Sequence, residues 1–354
     1  MKELDLFRNY LKLGYTVIGE EVVMKSEKYQ VCRVSMQEKG QYRIIGPEGE
    51  RWAKVSGKFR YESETASDYP AVGDYVEAEF ASDGASVIHS VMPRKSVFMR
   101  KAAGTGNTEQ VVAANIDTVF LCMALNNDFN IRRMERYLTA AWDSGATPVI
   151  LLTKKDLCDD LEDKIMQVES ISAGVDIITT TSMEEDGIKQ VEPYLVEGKT
   201  LAFVGSSGVG KSTLINKLLG EDRLETNGLR DDDKGRHTTT HREMLFLPNG
   251  AIVIDTPGMR ELGMWAAETG LSTSFADVEA LALACRFRDC THTSEPGCAV
   301  CKAIEDGELS EERLLSYKKL EAENSYSEDS QSYLASKEKK FKAISKINKA
   351  NRKR

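Results

Sequence analysis

The sequence contains no apolar run approaching the roughly twenty residues that a membrane-spanning helix needs. Its first residues (MKELDLFRNYLKLGY) are interrupted by charge where a secretory leader requires an apolar stretch. Both features point away from a membrane and to a cytoplasmic protein. An excess of positive charge is also missing, because 47 Lys and Arg stand against 56 Asp and Glu, a formal net charge of −9. That excludes a protein coating nucleic acid by bulk attraction and leaves only local patches for any contact with RNA. Nor is there the even cysteine set of a secreted disulfide scaffold. Of the seven cysteines, four (Cys285, Cys290, Cys298, Cys301) fall within a 17-residue stretch, which in a reducing compartment reads as metal. What remains is an ordinary soluble composition, 29% charged and 41% hydrophobic, over 354 residues, enough for two or three domains.

The stretch that organises the rest is LAFVGSSGVGKST, Leu201–Thr213. A buried-strand pattern, Leu201–Val204, runs into Gly205-Ser206-Ser207-Gly208-Val209-Gly210-Lys211-Ser212, which satisfies G-x-x-x-x-G-K-[ST] at each fixed position. The glycines let successive backbone N–H groups turn round an anion, and the next helix adds its positive end. Lys211 can then reach the β- and γ-phosphates, and Ser212 can ligate Mg²⁺. That helix is marked by the stripe Leu214, Ile215, Leu218, Leu219 and by Gly220 as its cap.

Before this motif lie two different patterns. After a helical pattern over residues 1–20 come short alternating segments, Tyr29–Val34, Gln41–Ile45, Arg51–Val55, Tyr75–Phe80 and Ser86–Val91. They predict a five-stranded β-barrel of the oligonucleotide-binding (OB) kind, which from the strand pattern alone could equally be a packing module without a ligand. Pro93-Arg94-Lys95 and Gly104-Thr105-Gly106-Asn107 read as a linker. From there strands and helices alternate: strand Ile116–Leu125, helix 131–144, strand Pro148–Thr153, helix 159–172, strand Val175–Thr180, helix 186–196, and then the strand into the phosphate loop. This predicts a doubly wound, mostly parallel α/β domain.

The loops after these strands point to guanine. Thr153-Lys154-Lys155-Asp156 is a variant of Asn-Lys-x-Asp, in which the Asp carboxylate accepts from N1–H and the 2-amine of guanine while Lys154 lays its stem along the base. Adenine would leave that carboxylate unpaired, a loss of order 10⁴ or more in discrimination. Thr181-Ser182 stands where a Ser-Ala loop caps guanine O6. After the phosphate loop, Gly235-Arg236-His237-Thr238-Thr239-Thr240 offers a threonine for Mg²⁺ and γ-phosphate. Strands Met244–Leu247 and Ala251–Ile254 lead to Asp255-Thr256-Pro257-Gly258, where Asp255 can hold Mg²⁺ through water and the Gly258 N–H can meet the γ-phosphate. In an ordinary small GTPase the base-reading loops come last. Here they precede Gly205, so the domain is circularly permuted, and the segment behind the second switch is tethered to a moving part.

That segment carries Cys285-x₄-Cys290-x-His292-x₅-Cys298, three thiols and an imidazole suited to one structural Zn²⁺, with Cys301 a rival ligand. The tail from Lys337 to Arg354 carries nine Lys or Arg against one acid, Glu338, and reads as a basic amphipathic arm for RNA phosphates or as a solvated end.

Together these residues resemble the ribosome small-subunit-dependent GTPase A family of bacteria, called YjeQ or RsgA. The match runs over nearly the whole chain and includes Val72-Gly73-Asp74, Ala114-Asn115-Ile116-Asp117, Gly235–Thr240, Asp255–Glu261 and the Cys285–Cys298 cluster. The resemblance implies a multidomain α/β protein: an OB-like barrel at 1–95, a circularly permuted P-loop GTPase at 96–270, and a helical zinc-binding domain with basic tail at 271–354. It implies GTP/GDP and Mg²⁺ as ligands, the small (30S) ribosomal subunit and 16S rRNA as partners, and a role in late subunit maturation. A monomer is expected. Within the resemblance Thr239 is the switch threonine. Thr153 departs from the family's Asn, which ties the base loop to the phosphate loop, so a lower guanine affinity is expected. Met259 occupies the place of the water-orienting Gln of Ras-like enzymes, and a thioether cannot position water. Unassisted hydrolysis is therefore expected to be as slow as, or slower than, ~10⁻⁴ s⁻¹. His237 is the candidate to orient the nucleophile once a partner docks, the alternative being a mobile loop histidine. Two rival readings are a GTP-operated RNA-binding or signalling switch that does not act on the ribosome, and a P-loop ATPase or kinase.

Overall fold

The computed structural model describes residues 28–38, 40–47, 49–80, 85–101, 109–184, 187–224, 242–255 and 268–324. The expected helix at 1–20, the Gly104–Asn107 turn and the basic tail from Lys337 to Arg354 lie outside them. Among the described residues no helix is long and apolar enough to cross a membrane.

Strands β1 (Gln30–Glu38), β2 (Gln41–Gly46), β3 (Gly49–Val55), β4 (Tyr75–Glu79) and β5 (Ser86–Val91) pair in the order β1-β2-β3-β5-β4, and β4 returns to β1 to close the barrel. All five expected strands are present within a few residues of their expected ends. Their alternation fills the barrel with Cys32, Val34, Ile44, Val76, Ala78 and Ile88. A short helix α1 (Gly57–Glu62) lies between β3 and β4, started by the Ser56 hydroxyl, which accepts from Phe59 N at 3.0 Å.

The second sheet runs in the order β10-β9-β8-β11-β13-β12, built from β8 (Thr118–Ala124), β9 (Thr147–Thr153), β10 (Asp176–Thr179), β11 (Thr200–Gly205), β12 (Arg242–Phe246) and β13 (Ile252–Asp255). All of its pairings are parallel except β12 with β13. Helices α2 (Ile131–Ser144) and α3 (Leu161–Glu169) cover one face, and α4 (Lys211–Leu219) the other, with a separate apolar core beneath each. The apolar, β-branched runs of β8, β9 and β11 reflect this double burial. The helix expected at 186–196 is instead a 3₁₀ turn at Lys189–Tyr194. Pro193 has no N–H to continue an α ladder, so the segment closes with i→i+3 bonds such as Leu195 N to Glu192 O.

The expected linker is a bracket rather than a loop. Arg94 donates to both carboxylate oxygens of the fully buried Asp74, at 2.8 and 2.7 Å, and to Ser67 O. Strands β6 (Val97–Lys101) and β7 (Glu109–Ala114) form a hairpin that the Gly-rich reading missed. The motifs Val72-Gly73-Asp74 and Ala114–Asp117 meet at this junction: Asn115 Nδ2 donates to Gly73 O, and Asp117 accepts from Lys199 Nζ and Thr200 N. Arg33, buried in β1, donates to Gly73 O, Asn115 O and Thr200 Oγ1. Strand β1 also pairs with β12 through Met36 with Glu243 and Gln37 with Arg242, so barrel and α/β sheet form one continuous eleven-stranded sheet.

Helices α5 (Glu268–Ser274), α6 (Ala276–Leu283), α7 (Ala299–Glu305) and α8 (311–324) enclose a further core that includes Leu271, Phe275, Val278, Val300 and Leu314. It is bolted to α2. Arg313 joins Glu135 at 2.9 Å and Asp277 at 2.6 Å, and Gly270 N donates to Asp143.

Candidate nucleotide site and metal cluster

The phosphate loop leaves β11 in the centre of the sheet and enters α4. Gly205 is required by close packing: a Cβ there would lie 2.5 Å from Cys122 O on β8. Gly210, which caps α4 at φ 101°, is required by its left-handed backbone. Lys211 curls over the loop, its Nζ donating to Gly205 O and Ser206 O at 2.6 Å each. Beside α4 opens a cavity of about 370 Å³ lined by Thr213, Asn216, Lys217, Gly220, Glu221 and Asp222.

The two base loops emerge from the same edge. Lys154 sits in the left-handed region and starts a 3₁₀ turn, Lys155–Leu157, that carries the exposed Asp156. The Thr181 hydroxyl donates to Asp156 Oδ1 and so links the two loops. Lys217 of α4 reaches across to Ser182 O at 2.7 Å. Thr153 is placed between the base loop and the phosphate loop. Its hydroxyl donates to Val209 O at 2.7 Å, so the tie from base loop to phosphate loop is made by threonine in place of the longer asparagine. Asp255 ends β13 half-buried. His237, Thr239, Gly258 and Met259 lie outside the described residues.

Sequence reasoning missed Asp128. It lies just beyond β8, one strand from the phosphate loop, and accepts a hydrogen bond from the Ser206 hydroxyl and two from Arg133 Nη1 at 2.8 and 2.9 Å. Burial works to raise its pKa, but Ser206, Arg133 and the charge of Lys154 outweigh it and hold the carboxyl below the usual range. A signal for it exists in the polar run Asn126-Asn127-Asp128 at the carboxyl end of a central parallel strand.

A family model for the RsgA GTPase matches residues 91–265. Among curated proteins, the "Small ribosomal subunit biogenesis GTPase RsgA 2" of Lactiplantibacillus plantarum is 50% identical over 319 residues, 90% of each chain. The chain belongs to the RsgA GTPase family. A second relative, the RsgA of Opitutus terrae, is 46% identical over 312 residues, 85% of each chain. The crystal structure of YjeQ from Thermotoga maritima superposes with a TM-score of 0.61 at 27% identity, covering 84% of this chain and 98% of its own. YloQ, described as a circularly permuted GTPase, gives 0.60 at 25%, covering 86% and 98%. As an RsgA GTPase the chain hydrolyses GTP, and guanine nucleotide with Mg²⁺ follows from that chemistry.

The cysteine cluster lies between α6 and α7. Ligand atoms of Cys285, Cys290, His292 and Cys298 lie within 4.8 Å of one another. Cys285 Sγ and Cys298 Sγ are 3.6 and 3.5 Å from His292 Nδ1 and 3.8 Å apart. Tetrahedral ligands at ordinary zinc bond lengths stand about 3.5–3.8 Å from one another, so the donor set fits a metal. Cys301 falls outside the group, and its N–H donates to Cys298 Sγ at 3.3 Å. Burial works against ionisation of Cys298, but the Cys301 N–H and the His292 ring, with neighbouring thiols, bring it down to about 6.

Proposed function

We propose that this chain is a GTPase that binds the small (30S) ribosomal subunit through 16S rRNA and acts in its late maturation, turning over slowly alone and faster on the subunit. The observation that carries this is the 50% identity, over 90% of both chains, to a protein named for small ribosomal subunit biogenesis. The reading puts the protein in the cytoplasm as a monomer, divided at 1–95, 96–270 and 271–354.

In this reading Gly205, Ser206, Ser207, Gly208, Val209, Gly210, Lys211, Ser212 and Thr213 hold the phosphates, with backbone N–H groups of the loop facing the anion. Thr153, Lys154, Asp156, Thr181 and Ser182 select guanine. Ser212, Thr239 and Asp255 hold Mg²⁺, which supplies charge neutralisation between the phosphates. His237, Thr239 and Gly258 act on the γ-phosphate and the attacking water. Cys285, Cys290, His292 and Cys298 hold one structural Zn²⁺; the close mutual approach of Cys285, His292 and Cys298 supports this assignment.

The test is GTP turnover at fixed enzyme, alone, with purified small subunits, and with large subunits. Stimulation by small subunits only is expected, and replacing His237 by Ala should remove that stimulation while nucleotide still binds. Equal turnover in all three conditions would overturn the ribosomal reading.

A further inference from the structure

Asp128 and Arg133 form an ion pair one hydrogen bond from the phosphate loop. Neither belongs to the motifs assigned to nucleotide binding. The pair stands where three loops meet: Asp128 lies beyond the end of β8, Ser206 beyond β11, and Lys154 beyond β9, close enough to lower the Asp128 pKa. Ser206 is gripped from both sides, its hydroxyl by Asp128 and its carbonyl by Lys211 Nζ. A carboxylate bonded to the phosphate loop lies within a Debye length of whatever anion that loop binds, about 10 Å at 0.1 M salt. Left alone it would repel that anion. Arg133, at 2.8 and 2.9 Å from its two oxygens, cancels the charge and leaves the hydrogen bond that positions Ser206.

We propose that Asp128 and Arg133 are positioning residues that hold Ser206 of the phosphate loop as a neutral pair, so that the loop's balance between triphosphate and diphosphate is not biased by either charge: Asp128 alone opposes the additional phosphate charge, and Arg133 offsets it. The proposal rests on guanine nucleotide occupying this loop. It makes a sign-specific demand, since a triphosphate carries about one more negative charge than a diphosphate at neutral pH. Removing the carboxylate charge must favour triphosphate, and removing the guanidinium must favour diphosphate.

The experiment measures equilibrium dissociation constants of fluorescent GDP and of a fluorescent non-hydrolysable GTP analogue for the full chain and three variants. Asp128→Asn keeps an acceptor for Ser206 and removes only charge. We expect its GDP-to-GTP ratio of dissociation constants to rise about threefold or more, that of Arg133→Gln to fall by a similar factor, and the double variant to return near wild type, all shrinking in 1 M salt. Shifts in the same direction, or ratios unchanged in both single variants, would overturn the proposal, because a purely structural brace has no reason to reverse sign. Failure of the wild-type chain to bind either nucleotide would instead remove the nucleotide reading and this inference with it.

Discussion

At the scale of single residues, the loops proposed to read the base are held by hydroxyl groups, those of Thr153 and Thr181. Thr153 is buried and its hydroxyl joins the end of β9 to Val209 O. Thr153→Val keeps the volume and orphans that carbonyl, so we expect a loss of about 1 kcal/mol in stability and a parallel weakening of guanine nucleotide binding, read by thermal unfolding and by titration. Thr153→Ser should retain both. Asp156 makes a different prediction, since its carboxylate is exposed and held by Thr181, and the proposed function has it accept from the base. Asp156→Asn replaces an acceptor by a donor and should shift preference from GTP to xanthosine triphosphate, whose 2-oxo group accepts where guanine donates; competition binding with the two nucleotides checks it.

Among the elements, α2 does most of the joining. Asn130 caps its first turn, and Met134, Tyr137, Leu138 and Ala141 bury its apolar stripe on the sheet. Its flank presents Glu135, 1% exposed, to Arg313 and Ser316 of the C-terminal helices. A buried charge depends on its partner. Arg313→Met should therefore destabilise the junction by about 2–3 kcal/mol, less than the full loss of a buried pair because Arg132, 2.6 Å from Glu135, remains and Asp277 is half-exposed, whereas pairing it with Glu135→Gln should recover much of the loss. Thermal unfolding with proteolysis between α5 and α8 would report it. The 3₁₀ turn at Lys189–Tyr194 shows the limit of periodicity as a guide, since Ile188, Val191 and Leu195 occupy helical spacing and Pro193 still forbids the α ladder.

For the whole molecule, the barrel, the α/β sheet and the C-terminal helices are joined by polar bolts among the described residues. The barrel is attached through Arg33, Asp74 and Arg94 and through the β1–β12 pairing, while the C-terminal helices are attached through Glu135, Arg313 and the Gly270–Asp143 bond. Strand β12, which pairs with β1 of the barrel, begins at Arg242, three positions after Thr239 in the sequence. The C-terminal core is small, and the Cys–His group packs against it, so the proposed zinc makes a prediction at this scale. Zinc removal by a chelator at neutral pH should unfold α6 to α8 in a separate low-temperature transition, leaving the barrel and α/β transitions in place, with one metal released per chain. Calorimetry with metal analysis would check this.

The legible part of the protein was whatever a local pattern fixes. The alternation of Tyr75–Phe80, the Gly-x-x-x-x-Gly-Lys-Ser run and the Cys–His spacing each act within a few residues, so strands, phosphate loop and metal cluster could be read directly, as could the permuted motif order. Tertiary structure decided what depends on distant partners. Pro93-Arg94-Lys95 looks like a linker until Arg94 finds Asp74, and Asn115 and Asp117 look like strand-end polar residues until the barrel and β11 supply their bonds. Asp128 gained its place for the same reason: it meets Ser206 only because β8 lies beside β11, a neighbour 78 positions away along the chain.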